Sequence, residues 1–202
     1  MANISAFKSQ ITQGGTRPNQ FRVKLTFPGF VGAAGTVAAQ SAEFLCRSSL
    51  LPASNLDDIT TYYRGRPVHF AGERTFQPWS VTVYNETNFN IRNAFETWSN
   101  GIVNYDATNG FTQPLIYQTD MSVYQLDRND QVIKEYRFFD AYPVSIGAIG
   151  LDYEDNARIE QFDVTFVYNY FIASESVHRP QPLATSSRRT SGKQRERVRL
   201  GT

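Results

Sequence analysis

Few side chains in this sequence are of a type that does covalent or metal chemistry. The only cysteine is Cys46, and the only histidines are His69 and His178. A nucleophile needs a base within hydrogen-bond reach and a third group to orient that base. Cys46 ends the apolar run Phe44-Leu45-Cys46 and is expected to be a buried structural thiol. His69 lies between Val68 and Phe70, with no acidic residue at a recognisable spacing, so a packed or surface role is expected rather than general-base work. Asp152, Glu154 and Asp155 lie close together. A calcium loop needs a longer ligand pattern with a central Gly and a terminal Glu, so this cluster reads as a solvated turn. The phosphate-loop, dinucleotide, zincin and nucleophile-elbow patterns are absent. No catalytic residue, metal ligand or cofactor is expected.

The elements that would carry any site are mostly extended. Phe21, Val23, Leu25 and Phe27 alternate with Arg22, Lys24 and Thr26, which is a half-buried strand. Pro28-Gly29 stops it, and the Gly/Ala run through residue 39 reads as a loop. Residues 43–47 read as a second strand. Residues 51–66 are polar and turn-prone, a connection long enough to suggest function. Trp79, Val81 and Val83 alternate with Ser80, Thr82 and Tyr84 in another strand. Ile91, Ala94, Phe95 and Trp98 fall on one helical face, with Thr87 or Asn88 as cap and Gly101 as stop. Residues 121–126 and 131–139 form a predicted hairpin about the turn at 127–130. An extended segment over 142–149 follows, and a last strand over 162–170. The fold class is mainly β: two packed antiparallel sheets, as a sandwich or barrel, with one flanking α-helix.

The chain has 202 residues, about one domain or two small ones. Its 20 basic and 19 acidic groups give a net charge of +1, but they are not evenly placed. Residues 173–202 hold seven basic and two acidic side chains, leaving 13 and 17 for residues 1–172. The expected organisation is a β domain with an N-terminal arm over 1–172 and a basic extension over 173–202. Charge asymmetry of this kind calls for an electrostatic partner of the tail. No secretory signal or membrane-length apolar run is seen, so folding in the cytoplasm is expected.

A series of short blocks carries a family resemblance. Thr16-Arg17-Pro18-Asn19-Gln20-Phe21 opens the domain, and Leu50-Leu51-Pro52-Ala53 follows the second strand. Ala71-Gly72-Glu73-Arg74-Thr75-Phe76 then leads into Trp79-Ser80-Val81-Thr82-Val83. Later come Tyr142-Pro143, Ile146-Gly147, Leu151-Asp152 and Ile159-Glu160-Gln161-Phe162-Asp163-Val164-Thr165. In this order they resemble the tail tube proteins of contractile-tailed bacteriophages, over roughly residues 16–171. The resemblance implies a homo-hexameric ring stacking into a tube, with strands of neighbouring copies joined in one inner barrel. It further implies a surrounding tail sheath protein, baseplate and tube-terminating proteins at the ends, and double-stranded DNA passing without specific binding. The place implied is the virion tail, assembled in host cytoplasm, with no membrane. An acidic body suits such a conduit, since like charge keeps phosphates from sticking.

The stretch over 51–66 resembles the family's loop that reaches the adjacent ring, which makes Pro52, Asn55, Asp57, Asp58, Arg64 and Arg66 its contact candidates. Arg74 is the candidate for an inter-subunit ion pair. Residues 30–39 and the tail look like additions to the shorter family core. In the tail, Arg188, Arg189, Lys193, Arg195, Arg197 and Arg199 are expected to meet an acidic surface of the sheath or of a neighbouring copy. The alternatives are a baseplate protein that initiates a tube and a tube protein of a related contractile injection system. From other classes, a small-ligand β-barrel and an RNA-binding module using the basic tail remain open.

Overall fold

The computed structural model describes residues 3–11 and 15–175. Its strands in chain order are β1 (Phe21–Lys24), β2 (Cys46–Leu50), β3 (Ser54–Tyr63), β4 (Arg66–Phe76), β5 (Trp79–Tyr84), β6 (Thr119–Leu126), β7 (Val132–Ile146), β8 (Gln161–Val167) and β9 (Tyr170–Glu175). The α-helices are α1 (Ile4–Gln10), α2 (Gly32–Leu45), α3 (Asn90–Ile102) and α4 (Pro114–Tyr117). Seven strands form one antiparallel sheet in the order β1-β6-β7-β8-β5-β2, with β9 added against β7. The remaining two, β3 and β4, pair only with each other among the described residues.

The large sheet folds over on itself at β7. Lys134 to Phe139 of β7 pair with β9, while Tyr142 to Ile146 pair with β8. Asp140 stands between the two halves at φ 56°. The expected pair of packed antiparallel sheets is therefore present as two halves of one folded sheet. Their shared core is aromatic. Trp79 stacks on Phe138 at 4.5 Å and on Phe166 at 5.1 Å between ring centroids. In the β5–β8 register Trp79 faces Phe166, Val81 faces Val164 and Val83 faces Phe162, so the alternation read from the sequence buries a continuous apolar layer. The α3 stripe of Ile91, Ala94, Phe95 and Trp98 is fully buried against it. The Trp98 indole Nε1 donates to the Tyr117 carbonyl at 2.8 Å.

Several expectations are corrected. Residues 30–39 are not a loop: a 3-10 turn (Gly29–Val31) leads into the 14-residue α2. Packing overrides the weak helix propensity of glycine here. Gly35, Ala38 and Ala42 are its buried stripe, and a Cβ on Gly35 would lie 2.9 Å from the Phe27 Cβ. Only small residues let this helix come so close. The helix runs on through Leu45, so the second strand starts at Cys46 rather than at residue 43. Besides the expected α3, the protein thus has a second long helix. The α3 start is Asn90, after Phe89 at φ 54°, with no side-chain cap from Thr87 or Asn88. It ends past Gly101, which lacks a Cβ where the Phe30 ring presses on it. The last strand breaks after Val167 into β8 and β9, and β9 continues to Glu175, beyond the expected start of the extension.

The β6–β7 hairpin is as expected. Asp127 Oδ1 accepts from the Asn129 and Gln131 amides at 2.7 and 2.9 Å. Burial pushes the Cys46 thiol up from 9.0 to about 12, and the Tyr168 hydroxyl, which donates to the Gln77 carbonyl at 2.7 Å, from 10.0 to about 12. Both groups are neutral acids whose folded pKa is raised. Their contribution is fully present below about pH 9 and is lost as pH climbs towards 12, because the unfolded chain ionises first. The urea midpoint should fall over that range, and fall less in Cys46→Ser. Phe95→Ala should lower unfolding free energy by about 3–5 kcal/mol in the same assay.

Candidate functional site

The candidate site is an arm. β3 and β4 leave the body as the extension of the β2–β5 pair and form an antiparallel ribbon of their own. Ten residues of strand reach about 33 Å. The turn at Arg64-Gly65 has φ of 49° and 80°, the doubly positive pattern of a tight hairpin turn matched to strand twist. Gly72 and Glu73 together oppose Asp57 in a bulge. A Cβ on Gly72 would lie 2.9 Å from the Asp57 carbonyl oxygen, so this crossing needs glycine. Residues 51–66 are therefore not an irregular loop but one strand and the tip of a hairpin.

The expected contact residues all lie on or beside this arm, but not as one cluster. Pro52 is at its root, half-buried, just before β3. Asn55 faces Thr75, Asp57 sits at the bulge, and Asp58 faces Ala71. Arg64 forms the tip, its guanidinium 5.5 Å from the Tyr63 ring centroid, and Arg66 pairs with Tyr63. Arg74 donates from Nη1 to the Ser54 hydroxyl at 2.8 Å. The six tail residues from Arg188 to Arg199, and His178, lie outside the described residues.

Sequence reasoning missed what lies between these charges. Ile59 faces Phe70, Thr61 faces Val68 and Tyr63 faces Arg66, so one side of the ribbon is an apolar strip. Ile59 and Phe70 are 57% and 56% exposed. The alternation of 59, 61 and 63 against 66, 68 and 70 was the available signal. It was obscured because Arg-Gly is not a usual hairpin dipeptide.

The opposite side carries a polar trio beside Tyr62, Pro67 and Ala71. His69 Nδ1 lies 2.7 Å from Asp58 Oδ2, and the Thr60 hydroxyl donates to that same oxygen at 2.8 Å. His69 thus has the acidic partner that its sequence neighbourhood hid. The trio is not a nucleophile relay. A relay needs the acid on one ring nitrogen and the hydroxyl on the other, and here both approach Nδ1. Exposed as it is, the pair contributes little energy and acts as a cross-strand brace.

A long two-stranded ribbon with one uncovered apolar side is marginal in water by itself, and an exposed apolar patch marks an interaction site. The model of the phage tail tube protein family matches residues 16–174. The chain belongs to the phage tail tube protein family. The tail tube protein gp19 of Enterobacteria phage T4 is 29% identical over 158 residues, 77% of this chain and 90% of that protein. The tail tube protein of Serratia phage KSP90 is 27% identical over 178 residues, 87% of this chain and 99% of that one. Among solved structures, the tube-terminating cap of the anti-feeding prophage matches with a TM-score of 0.60 at 15% identity, covering 80% of this chain and 91% of its own. The sheath–tube complex of the extracellular contractile injection system PVC matches with a TM-score of 0.54 at 14% identity, covering 83% and 97%. At these identities the two structures show a shared fold. The role of this tail tube family member is structural, as a component of a virion tail.

Ile59→Asp combined with Phe70→Asp should leave the monomer's melting temperature within a few degrees of the parent, since neither side chain packs on the body. The same variant should lose self-association in sedimentation velocity.

Proposed function

We propose that copies of this chain close into hexameric rings and that the rings stack into a tube inside a contractile sheath, with baseplate and terminating proteins at its ends. Double-stranded DNA passes through the lumen without specific binding. The reading is non-enzymatic, with assembly in the host cytoplasm. The observation that carries it is the arm: about 33 Å of ribbon with an uncovered apolar side and no partner among the described residues. A projecting element that fits a surface elsewhere on the same molecule makes a head-to-tail contact, which repeats along an axis.

Open strand edges support the ring. Among the described residues, each of β1 and β9 has a neighbour on one side only, and they bound the same half of the sheet. Joining one copy's β1 to the next copy's β9 removes both edges at once. In this reading the apolar strip seats the arm on the adjacent ring. Asn55, Asp57, Asp58, Arg64 and Arg66 fix its register, and Pro52 sets its exit from the body. Arg74 retains guanidinium donors beyond its bond to Ser54 and is the candidate for an inter-subunit ion pair. The basic extension over 173–202 is assigned to an acidic surface of the sheath or of a neighbouring copy.

The arm can be removed cleanly because Ser54 and Phe76 are paired at its root. Excising residues 55–75 and joining the ends through Asn-Gly should give a folded monomer by circular dichroism that forms no tubes in negative-stain electron microscopy. The parent chain should form hollow tubes under the same conditions. Normal tubes from the excised variant would overturn the role of the arm, and single unstacked rings from the parent would favour an initiator.

A further inference from the structure

Two further apolar surfaces in the described chain have nothing on them. The helix α1 buries no residue, and Ile4, Phe7 and Ile11 line one of its sides, with Phe7 66% exposed. Seven residues are too few to hold a helix in water without packing. The helix α2 has the complementary defect. Its inner stripe of Gly35, Ala38 and Ala42 is buried, yet its outer stripe is also largely apolar: Ala33, Val37 and Phe44, interrupted by Gln40. Phe44 is 85% exposed and Val37 47%. A helix that is apolar on both sides belongs in an interior, and only one side of α2 has one. In the single chain these two surfaces do not meet.

We propose that α1 of one copy docks on the outer stripe of α2 of a neighbouring copy. The second copy is the occupant because the chain builds a self-assembled tube and because each surface supplies what the other lacks. The short helix gains the packing it needs, and Phe44 and Val37 leave water. The contact rests on the tube reading above but is separate from the arm. It assigns a task to α2, which begins in the segment that looked like an addition to the family core.

Inter-copy disulfide formation tests it. Phe7→Cys and Val37→Cys are made as separate variants, each in a Cys46→Ser background, mixed in equal amounts, assembled and mildly oxidised. A cross-linked dimer should appear in the mixture and in neither variant alone. Independently, Phe44→Asp should raise the protein concentration needed for assembly by about tenfold, the equivalent of ~1.4 kcal/mol per contact. Tubes that form without the mixed dimer overturn the docking and leave the tube reading standing. A bond that forms only when both cysteines are in one chain, as a monomer, also overturns it, since α1 then folds back on its own α2. Failure of the parent chain to assemble would sink the tube reading and this contact with it.

Discussion

The whole body depends on one corner. β7 must belong to both halves of the sheet, so it has to bend sharply while keeping its hydrogen bonds. It does so at Asp140, held at positive φ. The adjacent chain turns at the same place: Asn169, between β8 and β9, donates its amide to the Phe139 carbonyl at 3.1 Å and its side chain to Asp140 Oδ2 at 2.9 Å. The two strands therefore round the corner as one ribbon. Bulges and special backbone angles are how sheets turn without losing their ladder. Once the corner is made, Phe138 from one half meets Trp79 from the other, which stacks in turn on Phe166, and the core closes.

Closing the core that way leaves particular surfaces unsatisfied. The sheet cannot cover its own β1 and β9 edges. The extension of β2 and β5 runs out beyond the core and carries its apolar side with it. Each unfinished surface is a cost for a monomer, and exposed edges and apolar patches favour association. In the tube we propose, the contacts are the complement of the body's packing. Arg66 ends the arm's apolar strip and Asp58 lies on the opposite side, where an exposed pair such as Asp58–His69 adds register more than energy.

Much of the body was legible because its signals are local. The Trp79/Val81/Val83 alternation, the Ile91/Ala94/Phe95/Trp98 stripe and the Asp127 turn each encode their element within a few residues. The α2 helix was not legible. Five of its fourteen residues are alanine, a good helix former, but apolar side chains lie on both sides, so it carries little hydrophobic contrast, and Gly32 and Gly35 read as a break. What holds this helix against the body is the close approach of Phe27, from the preceding segment, to Gly35. The arm was half legible: its length and position marked it, but the unusual Arg-Gly turn hid the alternation of 59, 61 and 63 with 66, 68 and 70.

By itself the sequence determined a β-rich reading, the core positions of β5, β8 and α3, the split between an acidic body and a basic tail, and the family blocks that point to a tail tube. These follow from side-chain type and short-range period, which need no knowledge of distant partners. Only the tertiary structure decided that β7 serves both halves, that residues 51–66 belong to a ribbon, that His69 meets Asp58, and that α2 is a helix with an uncovered side. Each of those depends on residues far apart in the chain arriving at contact distance, and the pairing of such residues is set by the fold as a whole.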